Sequence, residues 1–207
     1  MPKRLLVVFG NRTAEEILAA LRLCGDSEFD SAIRYFFEDD LPDDERLAGV
    51  PTGFDTYHYC IGVLDHSIRR EIETSMNRRG WVPHTVIHPS AVIDESAKIG
   101  GGCFIGAMAA VSIDAVIGEH SIIHMQSTVG HDSVVGRHCA VLPGARISGQ
   151  VTLGDAVLVG SNAFVYQGSR IGDHAQIDAM TYVRGDKPGG HIYSIRHPGP
   201  IKRPGFS

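Results

Sequence analysis

The chain lacks a long apolar run, a C-x-x-C pair and any block of lysine and arginine, and each absence removes a class of function. Its N-terminal stretch MPKRLLVVFGNRTAEE holds only about six apolar residues before charge resumes, too few for a signal peptide or a membrane span. The four cysteines, Cys24, Cys60, Cys103 and Cys139, show no metal-finger spacing. They are expected to be reduced, buried, small hydrophobes of a cytoplasmic protein. With a formal charge of -5 and a pI near 6.1, no basic face is available to neutralise phosphates, so a nucleic-acid partner is not expected. Aromatic residues make up only 7% of the chain, with a single tryptophan. Against these absences stand 43% hydrophobic residues and a mean hydropathy of -0.02, the composition of an ordinary globular protein with a core. At 207 residues that core belongs to one large domain or two small ones.

Residues 1–85 read as α/β. RLLVVFG (Arg4–Gly10) is a short apolar run ending in glycine, as in a buried parallel strand. TAEEILAALRLCG follows with helical character, Thr13 offering an N-cap, Glu16 the capping-box partner and Gly25 a stop. IRYFFEDD predicts a second strand ending at Asp39 and Asp40, and Leu41 to Thr52 an acidic loop. YHYCIGVLD predicts a third strand, and HSIRREIETSMNRRG a polar amphipathic helix closed by Gly80. Strand and helix alternate as in a small Rossmann-like parallel sheet. Ligands bind such sheets at the carboxyl ends of the strands, here Gly10, Asp39–Asp40 and Gly62, while the missing glycine fingerprint argues against NAD.

From residue 86 the grammar changes. Every sixth residue from Ile93 to Val183 is aliphatic, sixteen in unbroken register. Two positions before each stands a small residue, with Val151 and Val157 the only exceptions. Glycine often follows directly, as at Gly100, Gly118, Gly130 and Gly160. A period of six matches neither 3.6 nor seven; it is the hexapeptide signature of a parallel β-helix. Each hexad forms one side of a triangular coil. The aliphatic residue points to the axis, the small residue fits the corner, and the glycine is expected to permit the turn. Three hexads complete a coil of eighteen residues, and coils stack at about the 4.8 Å spacing of adjacent strands. Residues 86–184 form this domain, and 185–207, rich in proline and glycine, are expected to cap it and continue as an irregular tail.

One corner of the coil carries chemistry. In STVGHDSVVG, His131 and Asp132 take the third and fourth places of their hexad. His120, His138 and His174 also sit at fourth places, so a corner histidine is not in itself a catalyst. Eighteen residues after His131, one coil along, is Gly149, whose backbone N–H has no side chain in front of it. A base beside a bare amide donor is a minimal kit for acyl transfer: the imidazole deprotonates the nucleophile and the amide stabilises the oxyanion. Asp132 is placed to fix the imidazole tautomer.

The two-part layout, IHPSAVI (Ile87–Ile93) and VGHDSVVG with PGARISGQVTLGDAVLVGSNAFV (to Val165), resemble the bacterial nucleotide-amino-sugar N-acetyltransferases of the hexapeptide-repeat acyltransferase superfamily. The resemblance spans nearly the whole chain and implies a left-handed β-helix, a homotrimer with its active site between protomers, and acetyl transfer from acetyl-CoA to the 4-amino group of a nucleotide-linked deoxysugar. It makes His131 the general base, Asp132 its assistant and Gly149 the donor to the thioester oxygen, and runs the pantetheine arm past Ser161 and Ala179. The nucleotide sugar is implied to sit on Gly10, Asn11, Arg12, Asp39, Asp40 and Gly62. The first loop departs from the family's glycine-rich form, with Arg12 as a candidate phosphate ligand. Ala140 stands where relatives often carry a second histidine, and His124 where asparagine is common.

Two other classes of function meet the same residues. A zinc site of the γ-carbonic-anhydrase kind needs histidines two coils apart followed by a third at plus five. His88 and His124 have that first spacing, as do His138 and His174, but Val129 and Ala179 occupy the third place, so no metal is expected. The alternatives to N-acetylation are sugar O-acetylation, transfer to another small amine, and a non-catalytic scaffold.

Overall fold

The computed structural model describes residues 2–24, 29–35 and 47–205. Four parallel strands open the chain: β1 (Arg4–Gly10), β2 (Ser31–Tyr35), β3 (Thr56–Gly62) and β4 (Val82–Pro83), ordered β2-β1-β3-β4. Two helices flank them, α1 (Arg12–Cys24) and α2 (His66–Arg78). β1 is central and apolar throughout because both its faces are covered. Leu6 and Val8 pack with Ala14 and Ile17 of α1, whereas Leu5, Val7 and Phe9 pack with Ile72 and Met76 of α2. The expected second strand is described only as far as Tyr35; Gly25, Asp39 and Asp40 lie outside the described residues. Helix α1 starts at Arg12, so Thr13 is inside the first turn and buried instead of capping it. Helix α2 is capped by Asp65, whose carboxylate accepts from the N–H groups of Ser67 and Ile68, and Gly80 follows its end at φ +71°.

From Val86 each hexad contributes a two-residue rung that pairs in parallel with the rung eighteen residues away, as Ile122–Ile123 does with Phe104–Ile105 and Ala140–Val141. The rungs form three sheets, of eight, six and five strands. The second residue of each rung points inward, and Ile105, Val111, Ile117, Ile123 and their successors make one continuous core with the small corner residues. Burial of this aliphatic column is the main source of stability in the coil.

Two local assignments differ from expectation. The turn glycines of the second hexad place have no left-handed φ; that conformation falls on the fourth place, where Asp114, His120, Asp132, Asn162 and others lie between +54° and +62°. The second-place glycines serve close stacking. A β-carbon on Gly160 would come within 2.4 Å of the Ala179 nitrogen, and one on Gly118 within 2.5 Å of the Gly136 carbonyl carbon. Only glycine lets one coil sit this near the next. The second difference concerns the tail. His191–Tyr193 is a parallel strand of the eight-stranded sheet and Ile201–Lys202 closes that sheet antiparallel, so the expected cap carries two short strands, with turns and bends over the rest of residues 185–205.

The N-terminal sheet rests on the outer face of the eight-stranded sheet. Val86, Phe104 and Ile122, which point outward there, are buried against Leu6, Val8 and α1. One coil further, α2 covers His120 and His138, leaving them 3% and 4% exposed; these corner histidines are therefore interior, not turn decoration. Cys60, Cys103 and Cys139 are buried as expected, but Cys24 is exposed at the end of α1.

Candidate active site

His131 and Asp132 follow the rung Thr128–Val129, on the corner between the six- and five-stranded sheets. Asp132 adopts φ +56°, a conformation that aspartate tolerates better than most residues, and this folds its carboxylate back onto its neighbour. Asp132 Oδ2 lies 2.8 Å from His131 Nδ1. That contact fixes Nδ1–H as the donor and leaves Nε2 as the lone-pair nitrogen. Both side chains are about half exposed, at 50% and 52%.

Stacking in register brings Gly149 against the ring. A β-carbon built there would lie 2.4 Å from His131 Nε2 and 2.6 Å from Cε1, so the glycine is the space in which the imidazole sits. Backbone bonds lock the two coils together, Gln150 N–H donating to the His131 carbonyl at 2.8 Å. The Gly149 N–H has no acceptor among the described residues. Ser133 fixes the turn on either side: its hydroxyl donates to the Ser148 carbonyl and accepts from Val151 N–H. A basic nitrogen and an open amide donor thus share one corner, able to take a proton and receive a developing negative charge.

Ser161 and Ala179 lie on a different corner, after the rungs Leu158–Val159 and Gln176–Ile177. They stack on one another there, Met180 N–H donating to the Ser161 carbonyl, and within one chain they are not brought together with His131. The expected nucleotide residues do converge. Gly10, Asn11, Arg12 and Gly62, with Thr13 and Leu64, line a cleft of about 260 Å³ at the carboxyl ends of β1 and β3. Gly10 has φ +119°, and a β-carbon on it would meet the Gly62 carbonyl oxygen at 2.5 Å. The start of α1 opens onto this cleft, a natural seat for a negative group. Arg12 is exposed and pairs with Glu15 at 3.6 Å.

A polar cluster between the two halves was not foreseen. Tyr59, His120 and His138 form a stack with ring centroids 5.6 and 5.5 Å apart. Glu73 of α2 reaches both imidazoles, lying 2.8 Å from His138 Nε2, and also accepts from Arg137. Burial, assisted by Arg137 and Arg69, pushes His120 down to about 4, and burial does the same to His124. His138 is likewise lowered by burial, so a neutral Nε2–H donating to Glu73 describes the pair. The eighteen-residue spacing of His120 and His138 was the signal that they would stack. Among the described residues no group of three or more His, Cys, Asp or Glu side chains is arranged to hold a metal.

A parallel β-helix of stacked hexads, three sheets around one aliphatic core, is the class of fold that these residues define. Residues 81–187 match the family described as the GMPPB C-terminal domain, and the chain belongs to that family. Over 111 residues it is 29% identical to the GDP-perosamine N-acetyltransferase of Escherichia coli, covering 54% of this chain and 50% of that protein. The chain thus spans about half the length of the curated relative it matches. Among solved structures, a perosamine N-acetyltransferase mutant from Caulobacter crescentus, in complex with CoA and GDP-perosamine, superposes with a TM-score of 0.81 at 23% identity, covering 95% of each chain. The acetyltransferase domain of PglB from Neisseria gonorrhoeae, in complex with acetyl coenzyme A, gives 0.81 at 23% identity over 96% of this chain and 100% of that one. These likenesses establish the shared fold.

Proposed function

We propose that the chain is an acetyltransferase that moves an acetyl group from acetyl-CoA to the amino group of a nucleotide-linked amino-deoxysugar. The observation that carries this reading is the His131 ring seated over Gly149 with its Nδ1 held by Asp132. His131 Nε2 takes the proton from the attacking amine as nitrogen bonds to the thioester carbon. The Gly149 N–H stabilises the oxyanion, and the C–S bond breaks as the imidazolium returns its proton to the departing thiolate. Asp132 steadies the imidazolium between these steps.

In this reading residues 1–85 are a Rossmann-like domain that holds the nucleotide at Gly10, Asn11, Arg12 and Gly62, with Asp39 and Asp40 completing the site. Residues 86–184 are the left-handed β-helix, and 185–207 the C-terminal cap and tail. Ser161 and Ala179 flank the pantetheine arm from a neighbouring protomer of a homotrimer. Val92, Met108, Ile113 and Phe164, apolar and exposed on faces that the N-terminal sheet does not cover, support such an interface. The reading places the enzyme in the cytoplasm; no helix among the described residues is long and apolar enough to cross a membrane.

The test is direct. The purified chain is incubated with acetyl-CoA and GDP-perosamine, the acceptor of the relatives, beside a panel of other nucleotide amino sugars and their hydroxyl counterparts. Release of free thiol together with acetylated sugar by mass spectrometry is expected for an amino acceptor. Acetylation confined to hydroxyl acceptors would move the reading to O-acetylation, and no turnover with any acceptor, together with no binding of acetyl-CoA, would leave a scaffold.

A further inference from the structure

Beside the cleft at the ends of β1 and β3, with Leu64 lining both, lies a second of about 240 Å³ between the start of α2 and the eight-stranded sheet. Its floor is apolar and made of short side chains, Ala140 and Ala156 beside Leu158, and its charged groups are Asp65, His66, Arg69 and Arg203. Arg69 is the unusual member. It is 1% exposed, yet its hydrogen bonds go only to the backbone carbonyls of His138 and Cys139. Its Nε has no acceptor, and no carboxylate among the described residues forms an ion pair with it. His138, which also lines the cleft, has an unpartnered Nδ1. The acid that lines the cleft, Asp65, is turned to the N–H groups of Ser67 and Ile68 in the first turn of α2.

A buried cation without a counter-charge is costly, and burial holds the Arg69 guanidinium down to about 10. The thirteen-residue helix α2 adds the positive end of its dipole at the same place. Arg203, from the C-terminal cap, lines the same cleft and donates to the His174 carbonyl at 2.9 Å. Two guanidinium groups and a helix N-terminus therefore line a space whose floor is aliphatic and whose other polar side chains are His66, His138, Gln176 and the Asp65 carboxylate, the last turned to the backbone of α2. That environment suits an anionic group on a compact organic body better than a hydrated ion.

We propose that this cleft is an anion subsite, in which a carboxylate or phosphate of the acceptor pairs with Arg69 and Arg203 while the nucleotide occupies the adjoining cleft. This rests on the acceptor reading above. It narrows the substrate class to acceptors that carry a further acidic group beyond the one held at the start of α1.

The test reads binding without any acyl donor. The full chain is titrated, at constant pH and ionic strength, with inorganic phosphate, with D-glucuronate and with D-glucose, following the ring C–H resonances of His66, assigned with a His66→Asn variant. Saturable shifts are expected with phosphate or glucuronate and none with glucose; glucuronate acting alone identifies a carboxylate, and phosphate acting alone a phosphoryl group. Arg203→Gln should weaken the binding about tenfold or more, the loss of one charge-assisted hydrogen bond, while Arg203→Lys keeps part of it. Thermal unfolding of both variants shows whether the cap stays folded, and Arg203→Lys decides the matter if the glutamine variant does not fold. Absence of saturation with either anion, or binding equal in the wild type and Arg203→Gln, overturns the proposal. A chain that binds the anion but transfers no acetyl group would overturn the acetyltransferase reading alone.

Discussion

Replacing Gly149 by alanine tests the catalytic corner with one methyl group. Its β-carbon would lie 2.4 Å from His131 Nε2 and 2.8 Å from Cδ2, well inside contact distance. To clear the methyl the imidazole must retreat by about 1 Å, since carbon and nitrogen rest about 3.4 Å or more apart. The obstacle is a half-exposed side chain, so the ring swings outward and the coil is undisturbed. Gly149 has no left-handed φ, and alanine costs nothing in backbone strain. A misplacement of about 1 Å at a reacting atom costs on the order of a hundredfold in rate. Steady-state thiol release from acetyl-CoA should therefore show kcat reduced about a hundredfold in Gly149→Ala, with an unfolding midpoint equal to or slightly above the wild type. Gly130→Ala provides the contrast: its methyl would meet the backbone nitrogen of Gly149 at 2.6 Å, which cannot move aside, and the coil should be destabilised. Wild-type kcat in folded Gly149→Ala would refute the idea that ring and amide act together.

Other outcomes follow from the same geometry. His131→Ala should lower kcat by about 10²–10⁴-fold with little change in thermal stability, measured by the same thiol assay and by calorimetry. Asp132→Asn keeps a residue suited to the left-handed turn and removes only the charge on Nδ1; about a tenfold fall in kcat is expected, modest because the pair is half exposed. Gly10→Ala should cost about 2 kcal/mol or more in urea unfolding, because its φ of +119° and the 2.5 Å approach to the Gly62 carbonyl both exclude a β-carbon. Stability should fall in mild acid: His120 and His124 titrate near 4 when folded, against about 6.5 when unfolded. The unfolded chain then holds more protons between those values, so stability is complete above about pH 6.5 and declines as the pH drops toward about 4, by roughly 2–3 kcal/mol per histidine. Urea midpoints across that range check this, and His120→Gln should flatten the decline.

The period of six made the coil legible because each hexad is one physical unit, and the eighteen-residue register placed Gly149 under His131 before any coordinates. What periodicity does not say is which of the three faces is covered. All fourth-place polar residues hold equivalent positions in the repeat, yet His138 is buried under α2 while Asp132 is half exposed. That difference comes from where the N-terminal sheet lies, packed on Val86, Phe104 and Ile122 of the eight-stranded sheet, whereas Val92, Val134 and Phe164 on the other two faces stay exposed. The second-place glycines were read as turn formers because glycine commonly takes that role. Their actual constraint, the distance to the next coil, belongs to the tertiary structure. Arg69 likewise looks like any residue on a polar helix until its helix is docked.

The reversal of direction beyond the last coil has a consequence for the edge of one sheet. A stack of parallel rungs is an open template, since its last rung offers the same unpaired backbone groups to a further copy as it used for its predecessor. Ile201–Lys202 runs the other way across His191–Tyr193, with a lysine at its tip. On that one of the three faces an incoming parallel rung meets an antiparallel edge, so the hairpin withholds the matching template there.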